Sequence, residues 1–302
     1  MTRQNRIDVH HHVLPEFFRA AQTAGGYPST AYRPFPDWSL DISLALMDRL
    51  GIQTSMMSFS APGIYFGDLA ATRDLARQCN EYLADCAVKH PGRFGGFASL
   101  PLPDVDAALR EVEYALDVLE LDGIVHLTTT DNRQAGHPDF HEVYRELDRR
   151  GAVVFIHPTY PAKSDERDYA VPRPIVDYPC ETTRAAANLL FNGVLAKMPA
   201  IRFILSHAGG TLPFLAHRIA IFDDLTKHRE NYPDGAIAYF KEIGKWTPAH
   251  QAHNDKLIVR QQVLAKAWAN MDKSFEGDTF AGKWMSVRAA ALKEAGFAPI
   301  WQ

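Results

Sequence analysis

Histidines cluster in the chain's first apolar stretch, Ile7-Asp8-Val9-His10-His11-His12. Others end later stretches: His157 in Val153-Val154-Phe155-Ile156-His157-Pro158 and His207 in Arg202-Phe203-Ile204-Leu205-Ser206-His207. In an extended segment the period of two sends Asp8, His10 and His12 to one face and Ile7, Val9 and His11 to the other. Alternate α-carbons on one face lie about 6.5–7 Å apart, so two imidazoles can lean onto one divalent ion at about 2.0–2.1 Å. Neutral imidazole suits zinc, and also manganese or iron. A lone strand-end histidine is more often a hydrogen-bonded core residue than a ligand. The repetition of the pattern on separate strands is what argues for a shared metal site. After His207, the glycines of Ala208-Gly209-Gly210-Thr211 let backbone approach a ligand closely.

The other histidines carry weaker signals. His90, His137 and His217 fall at helix ends or in loops, and His126 falls inside a strand; structural roles are expected, His126 being the one exception that would line a pocket. His250 and His253 are spaced for one helix face, but Gln251, Asn254 and Asp255 around them read as solvated surface. Tyr160 and Arg184 are the candidate substrate-binding residues. Phe18, Phe59 and Phe191 offer further pocket surface, each equally compatible with core or helix surface.

These residues need strands to hold them. Short β-branched or aromatic runs at Ile7–His12, Ile52–Ser60, Arg93–Leu100, Gly123–Thr128, Val153–His157 and Arg202–His207 alternate with stretches of helical period. The helices are expected at Leu40–Leu50, Asp68–Lys89, Asp104–Leu119, Phe140–Arg150, Thr182–Lys197 and Leu212–Leu225. Alternation of this kind predicts an α/β fold with a parallel sheet of the TIM-barrel (β/α) type, in which catalytic groups stand at the C-terminal edges of strands. The Pro-, Tyr- and charge-rich stretch Tyr160–Pro179 reads as a loop covering the substrate. After Leu225 the rhythm breaks into helices, Gly235–Ile243, Pro248–Met271 and Phe280–Ala295, with no apolar strand. The barrel is therefore expected to be incomplete at strands 7–8, with residues 1–232 forming the barrel region and 233–302 a helical C-terminal segment. Dimerisation or the tail helices would have to cover the open edges.

Bulk properties exclude some classes. With 302 residues the chain can build one large α/β domain, and a net charge of -4 without a basic block argues against nucleic acid and anionic membrane as partners. MTRQNRIDVHHH contains no apolar core of signal-peptide length, and no stretch approaches about 18 uninterrupted apolar residues, so the expected compartment is the cytoplasm. Cys79, Cys86 and Cys180 lack zinc-site spacing and are expected as reduced thiols.

Asp-x-His-x-His followed by a proline, a strand-end histidine in FIHP and another in LSHAGG together resemble the amidohydrolase-related decarboxylases. Stretches such as CNEYLADCAVKHPGRFGGFASLPLPD and CETTRAAANLLFNGVLAKMP are similar in wording to aminocarboxymuconate-semialdehyde and methylsalicylate decarboxylases, and the resemblance runs from about Ile7 to Leu225. It implies His10, His12 and His157 as metal ligands, and His207 as the acid/base or water-orienting residue. It further implies a zinc or manganese ion and a carboxy-lyase acting on a small aromatic or unsaturated carboxylic acid.

The resemblance also implies an aspartate at the end of the eighth strand, in a motif like Gly-Thr/Ser-Asp-Tyr-Pro, which this chain does not contain. Without it, three neutral imidazoles leave the ion's charge uncompensated; Asp8, read as lying on the same face as His10, is the candidate to compensate in part. The tail sequence from Gly235 to Trp268 resembles instead the C-terminal helices of TRAP-type solute-binding proteins, as if the chain crossed near Pro233–Lys241 into an unrelated end. Three readings stay open from sequence: a decarboxylase, a metal-dependent hydrolase of a lactone or amide, and a barrel that binds metal or ligand without turnover.

Overall fold

The computed structural model describes residues 6–30, 33–159, 172–216, 218–219, 241, 247–271 and 278–298. The strands are β1 (Arg6–His12), β2 (Ile52–Ser58), β3 (Phe94–Ser99), β4 (Gly123–Leu127), β5 (Thr129–Thr130), β6 (Arg133–Gln134), β7 (Val153–His157) and β8 (Arg202–Leu205). The helices of the same unit are α1 (Glu16–Ala24), α2 (Leu40–Leu50), α3 (Leu69–Lys89), α4 (Val105–Glu113), α5 (His141–Arg149), α6 (Arg173–Phe191) and α7 (Val194–Lys197). Among the described residues, six strands form one parallel sheet in the order β1-β2-β3-β4-β7-β8, and β5 pairs with β6 in a small antiparallel ribbon.

Helices alternate with strands as the patterning requires. Gly51 ends α2 in the left-handed conformation at φ 68, where a side chain would be strained, and the chain turns directly into β2. Between sheet and helices lies the main core, with Ile124, Val154 and Ile156 on the sheet side and Leu83, Val112 and Tyr144 on the helix side. On the opposite face Phe97, Val125 and Phe155 make a second, inner cluster. The period of two puts His157 on the same face as Phe155.

The sheet is curled. Flat, it would separate β1 from β8 by five strand spacings, about 24 Å, yet the rings of His10 and His207 are 5.0 Å apart. This is the wall of a barrel, open between β1 and β8 among the described residues, as expected from the missing last strands.

Three elements differ from the sequence reading. Helix α1 was not foreseen; Phe18 on it is 1% exposed and packs edge-on against Phe59 at 4.7 Å. The helix expected from Asp104 to Leu119 becomes α4 followed by a π-helical turn, Tyr114–Val118. Of the loop expected at Tyr160–Pro179, residues 160–171 lie outside the described residues and the rest is helical, because α6 starts at Arg173. Pro174 falls in its first turn, where a missing N–H costs nothing, and Pro179 is tolerated inside it.

The compact units are Met1–Ala216 and His217–Gln302. In the second, helices Pro248–Asn270 and Asp278–Glu294 stand where helices are expected at Pro248–Met271 and Phe280–Ala295, and Trp268 meets Trp284 edge-on at 4.8 Å. The helix expected at Gly235–Ile243 lies outside the described residues apart from position 241. No helix among the described residues is long and apolar enough to cross a membrane. Cys79 and Cys86 are buried and Cys180 is partly so; all three are free thiols.

One side chain ties the helical layer to the end of a strand. Asn80, fully buried on α3, accepts from the Ser99 N–H at 2.8 Å and donates to the Ser99 carbonyl at 2.9 Å and to Glu111 at 2.8 Å. Asn80→Ala strands those groups away from water, and unfolding in urea should show a loss of about 2–3 kcal/mol; an unchanged midpoint would refute this role.

Candidate metal centre and active site

The inner face of β1 and the end of β7 bring three imidazoles together. His10 Nε2 and His12 Nε2 are 2.9 Å apart, and the ring centroids of His10 and His12 lie 5.1 and 4.6 Å from that of His157. Among the described residues these three form the cluster able to hold a metal ion, each offering an atom within 4.8 Å of the others. His207 joins them from the turn after β8, 5.0 Å from His10 and 6.0 Å from His157.

Burial keeps these rings uncharged. It lowers the His12 pKa to about 3, with the neighbouring His10 adding to the effect, and drives His157 well below the ordinary histidine value. His10 and His207 are also lowered by burial. An uncharged imidazole presents a lone pair, so the cluster has the donor chemistry of a divalent-cation site. His157 Nδ1 is buried without a hydrogen-bond partner, and such a nitrogen costs about 1–3 kcal/mol when unsatisfied. A ring with one nitrogen on a cation removes part of that cost, so the residues fit the metal reading.

The position of Asp8 corrects the simple alternation. Opposite β2, Asp8 registers with Ser55 and His11 with Met57, so one extra residue bulges from β1 between them. Asp8 Oδ1 accepts from the His10 N–H at 3.0 Å, and Oδ2 lies 3.5 Å from His11 Nδ1. The His11 ring, and then the His10 N–H, hold the Asp8 carboxyl below its usual range. Asp8 therefore braces the strand and is not in the three-histidine cluster.

His207 sits on an unusual backbone: it and Ala208 have φ of 52 and 53, the left-handed region that non-glycine residues avoid. Helix α6 holds this turn. Thr183 Oγ1 donates to the Pro179 carbonyl at 2.8 Å and accepts from the Thr211 N–H at 2.8 Å, while Thr182 Oγ1 is 3.2 Å from Ser206 Oγ. Gly210, at φ 64, lets the Pro179 carbonyl approach closely; a Cβ there would collide with it. The Tyr178 ring stacks on His207 at 6.0 Å and 30°. Sequence reasoning misses Tyr178 because it falls in a stretch whose prolines read as loop, and Thr182 and Thr183 because they fall at the start of an expected helix, where nothing local points to the His207 turn.

A cavity of 410 Å³ opens at the same end of the strands, lined among others by Phe59, Tyr65, Phe66, Ser99, Leu127 and Thr159. Phe59 follows Ser58, whose hydroxyl is 3.3 Å from His12 Nδ1, and Thr159 follows His157 by two residues. Arg184 is not among its lining residues; its guanidinium pairs with the buried Glu181, and its side chain is 65% exposed. Tyr160 lies outside the described residues. His126 borders the cavity, and its Nδ1 is 2.7 Å from the Tyr144 hydroxyl in the helical layer. His250 caps its own helix at Thr247 and is exposed, as is His253.

A curled parallel sheet with histidines converging from β1, β7 and the turn after β8 is a barrel-type fold carrying a cluster able to hold a metal ion. The chain belongs to the amidohydrolase family, whose model matches residues 7–251. It is 44% identical over 220 residues to 6-methylsalicylic acid decarboxylase of Aspergillus aculeatus, which covers 71% of this chain but only 66% of that protein. To gamma-resorcylate decarboxylase of a Polaromonas species it is 30% identical over 314 residues, 94% of this chain and 95% of the relative. The crystal structure of a dihydroxybenzoic acid decarboxylase from Polaromonas, with bound manganese and the inhibitor 2-nitroresorcinol, superposes with a TM-score of 0.61 at 25% identity, covering 97% of this chain and 94% of that one.

The buried histidines make the metal-free protein acid-sensitive. Their folded pKa values lie below the unfolded value near 6.5, so the unfolded chain binds more protons as the pH falls below that value. Stability is complete above about pH 6.5 and declines as the pH drops toward 3, and His12→Gln should flatten part of that decline in urea titrations. The same slope in wild type and variant would contradict the assignment.

Proposed function

We propose that this protein catalyses the metal-dependent, non-oxidative decarboxylation of an aromatic carboxylic acid of the hydroxybenzoate type. The observation that carries the reading is the convergence of His10, His12 and His157 with a fourth imidazole, His207, at the end of the strands where a 410 Å³ cavity opens, lined by Phe59 and Thr159 close in sequence to site residues Ser58 and His157. Similarity to decarboxylases of 6-methylsalicylic and gamma-resorcylic acids supports the substrate class.

His10, His12 and His157 would hold the ion. Bound there, a divalent cation supplies Lewis acidity toward substrate oxygens. Three imidazoles suit zinc, and the manganese in the Polaromonas relative makes that ion the second candidate. Tyr65 and Phe66 offer ring surface for the substrate's arene. As the bond between ring carbon and carboxylate breaks and carbon dioxide leaves, a proton must reach that carbon. His207 would carry it: burial lowers its pKa and leaves the ring uncharged at neutral pH, so it would take a proton from water at one nitrogen and deliver one to that carbon. Tyr178 stacked on one face and the α6 clamp on its turn keep that ring in place.

Assays of protein loaded with zinc or manganese, against a panel of hydroxybenzoates, should show release of carbon dioxide. His207→Gln should lose about 100-fold or more in kcat while retaining its metal, whereas His10→Ala/His12→Ala should lose the metal itself. Opening of a lactone or amide without gas release, or bound metal with no turnover of any acid, would overturn the proposal.

A further inference from the structure

The outward side of β1 carries a histidine that the metal cluster does not use. His11 Nε2 lies 3.0 Å from Ser43 Oγ on α2, and Trp38 Nε1 donates to the same oxygen at 3.1 Å. The Asp8 carboxylate can only accept, and its Oδ2 lies 3.5 Å from His11 Nδ1, which favours the ring proton on that nitrogen. His11 Nε2 is then the acceptor, and the Ser43 hydroxyl, which takes the indole N–H on one lone pair, donates to it. Asp8 Oδ1 in turn takes the N–H of the metal-ligand candidate His10. The series runs from Trp38 through Ser43 and His11 to the Asp8 carboxylate, its last link a 3.5 Å ion-pair contact.

The middle of the series is shielded from water, Ser43 at 3% and the His11 side chain at 11% exposure, while the Asp8 side chain at its end is 31% exposed. It also ends where the strand departs from regularity. Between Asp8 and His11 the β1–β2 register shifts, leaving Val9 and His10 without registered partners on β2. A bulge re-aims the side chains around it, and one whose freed N–H is satisfied by a fixed carboxylate has a defined geometry.

We propose that Trp38, Ser43, His11 and Asp8 form a positioning relay that links α2 to the bulge of β1 and thereby sets the affinity of His10, His12 and His157 for a divalent ion. The inference rests on the metal-site reading and not on the reaction. None of the four residues is in the three-histidine cluster, so their effect is carried through the strand. Groups that orient metal ligands in this way are worth about 10–100-fold in affinity.

Competition of the full-length protein against a chromophoric chelator for zinc tests this without any substrate. His11→Leu should weaken zinc binding about 10–100-fold, and Ser43→Ala and Trp38→Phe should weaken it by smaller factors. His11→Leu/Ser43→Ala should bind no more weakly than His11→Leu alone, because both changes break one series. Met47→Ala, which opens a cavity under the same helix without touching the relay, should lower the Tm and leave zinc affinity unchanged. Wild-type affinity in both Ser43→Ala and Trp38→Phe, or an equal loss in Met47→Ala, would overturn the relay in favour of a plain anchor for α2. If His11→Leu does not fold, those two variants decide. Absence of zinc binding in the wild type would overturn the metal-site reading itself, whereas absence of decarboxylation would leave the relay standing.

Discussion

Four imidazoles have to share one small volume without carrying charge, and the rest of the structure follows from that constraint. For half-buried His12 and buried His157, protonation costs desolvation and mutual repulsion, so they remain neutral across the physiological range. Neutral rings packed this closely offer lone pairs that need a positive partner. The curl of the parallel sheet is what creates the volume, since it brings the ends of β1 and β8, sheet edges in sequence order, to within ring contact. Phe155, 5.3 Å from His10 on the inner face, closes the apolar side of the site.

Holding the rings requires restraint from outside the sheet. His207 stands on a left-handed backbone that its own residue type disfavours, and such strain persists only when neighbours over-determine it. Two threonines of α6, the space left by Gly210 and the Tyr178 ring supply that determination. At the other end, Asp8 and His11 fix the bulge of β1. The inner face thus presents chemistry, and the helical layer supplies its orientation.

Much of this was legible in the residues. The six parallel strands, the C-terminal placement of His157 and His207 and the incomplete barrel all followed from apolar periodicity and its loss after Leu225. The side assigned to Asp8 did not, because strict alternation cannot anticipate a bulge that is created by pairing with a strand more than forty positions away. Helix α6 was read too short for a related reason: Pro174 and Pro179 are locally loop signals, while tertiary contacts to the His207 turn hold the segment helical. The ion pair that Arg184 makes with the buried Glu181, one turn earlier on the same helix, is a contact that residue type and spacing alone do not single out. The family match, reaching residue 251, continues past the boundary at 232 suggested by the change in sequence rhythm.

The central claim is that three imidazoles from two strands bind one ion. X-ray absorption at the metal edge of zinc-loaded protein addresses it most directly, because scattering from the imidazole ring is distinguishable from that of water and carboxylate. Three imidazoles at about 2.0–2.1 Å, falling to two in His157→Ala, are the predicted result. Zinc bound with one imidazole or none, or a spectrum unchanged by His157→Ala, would contradict it.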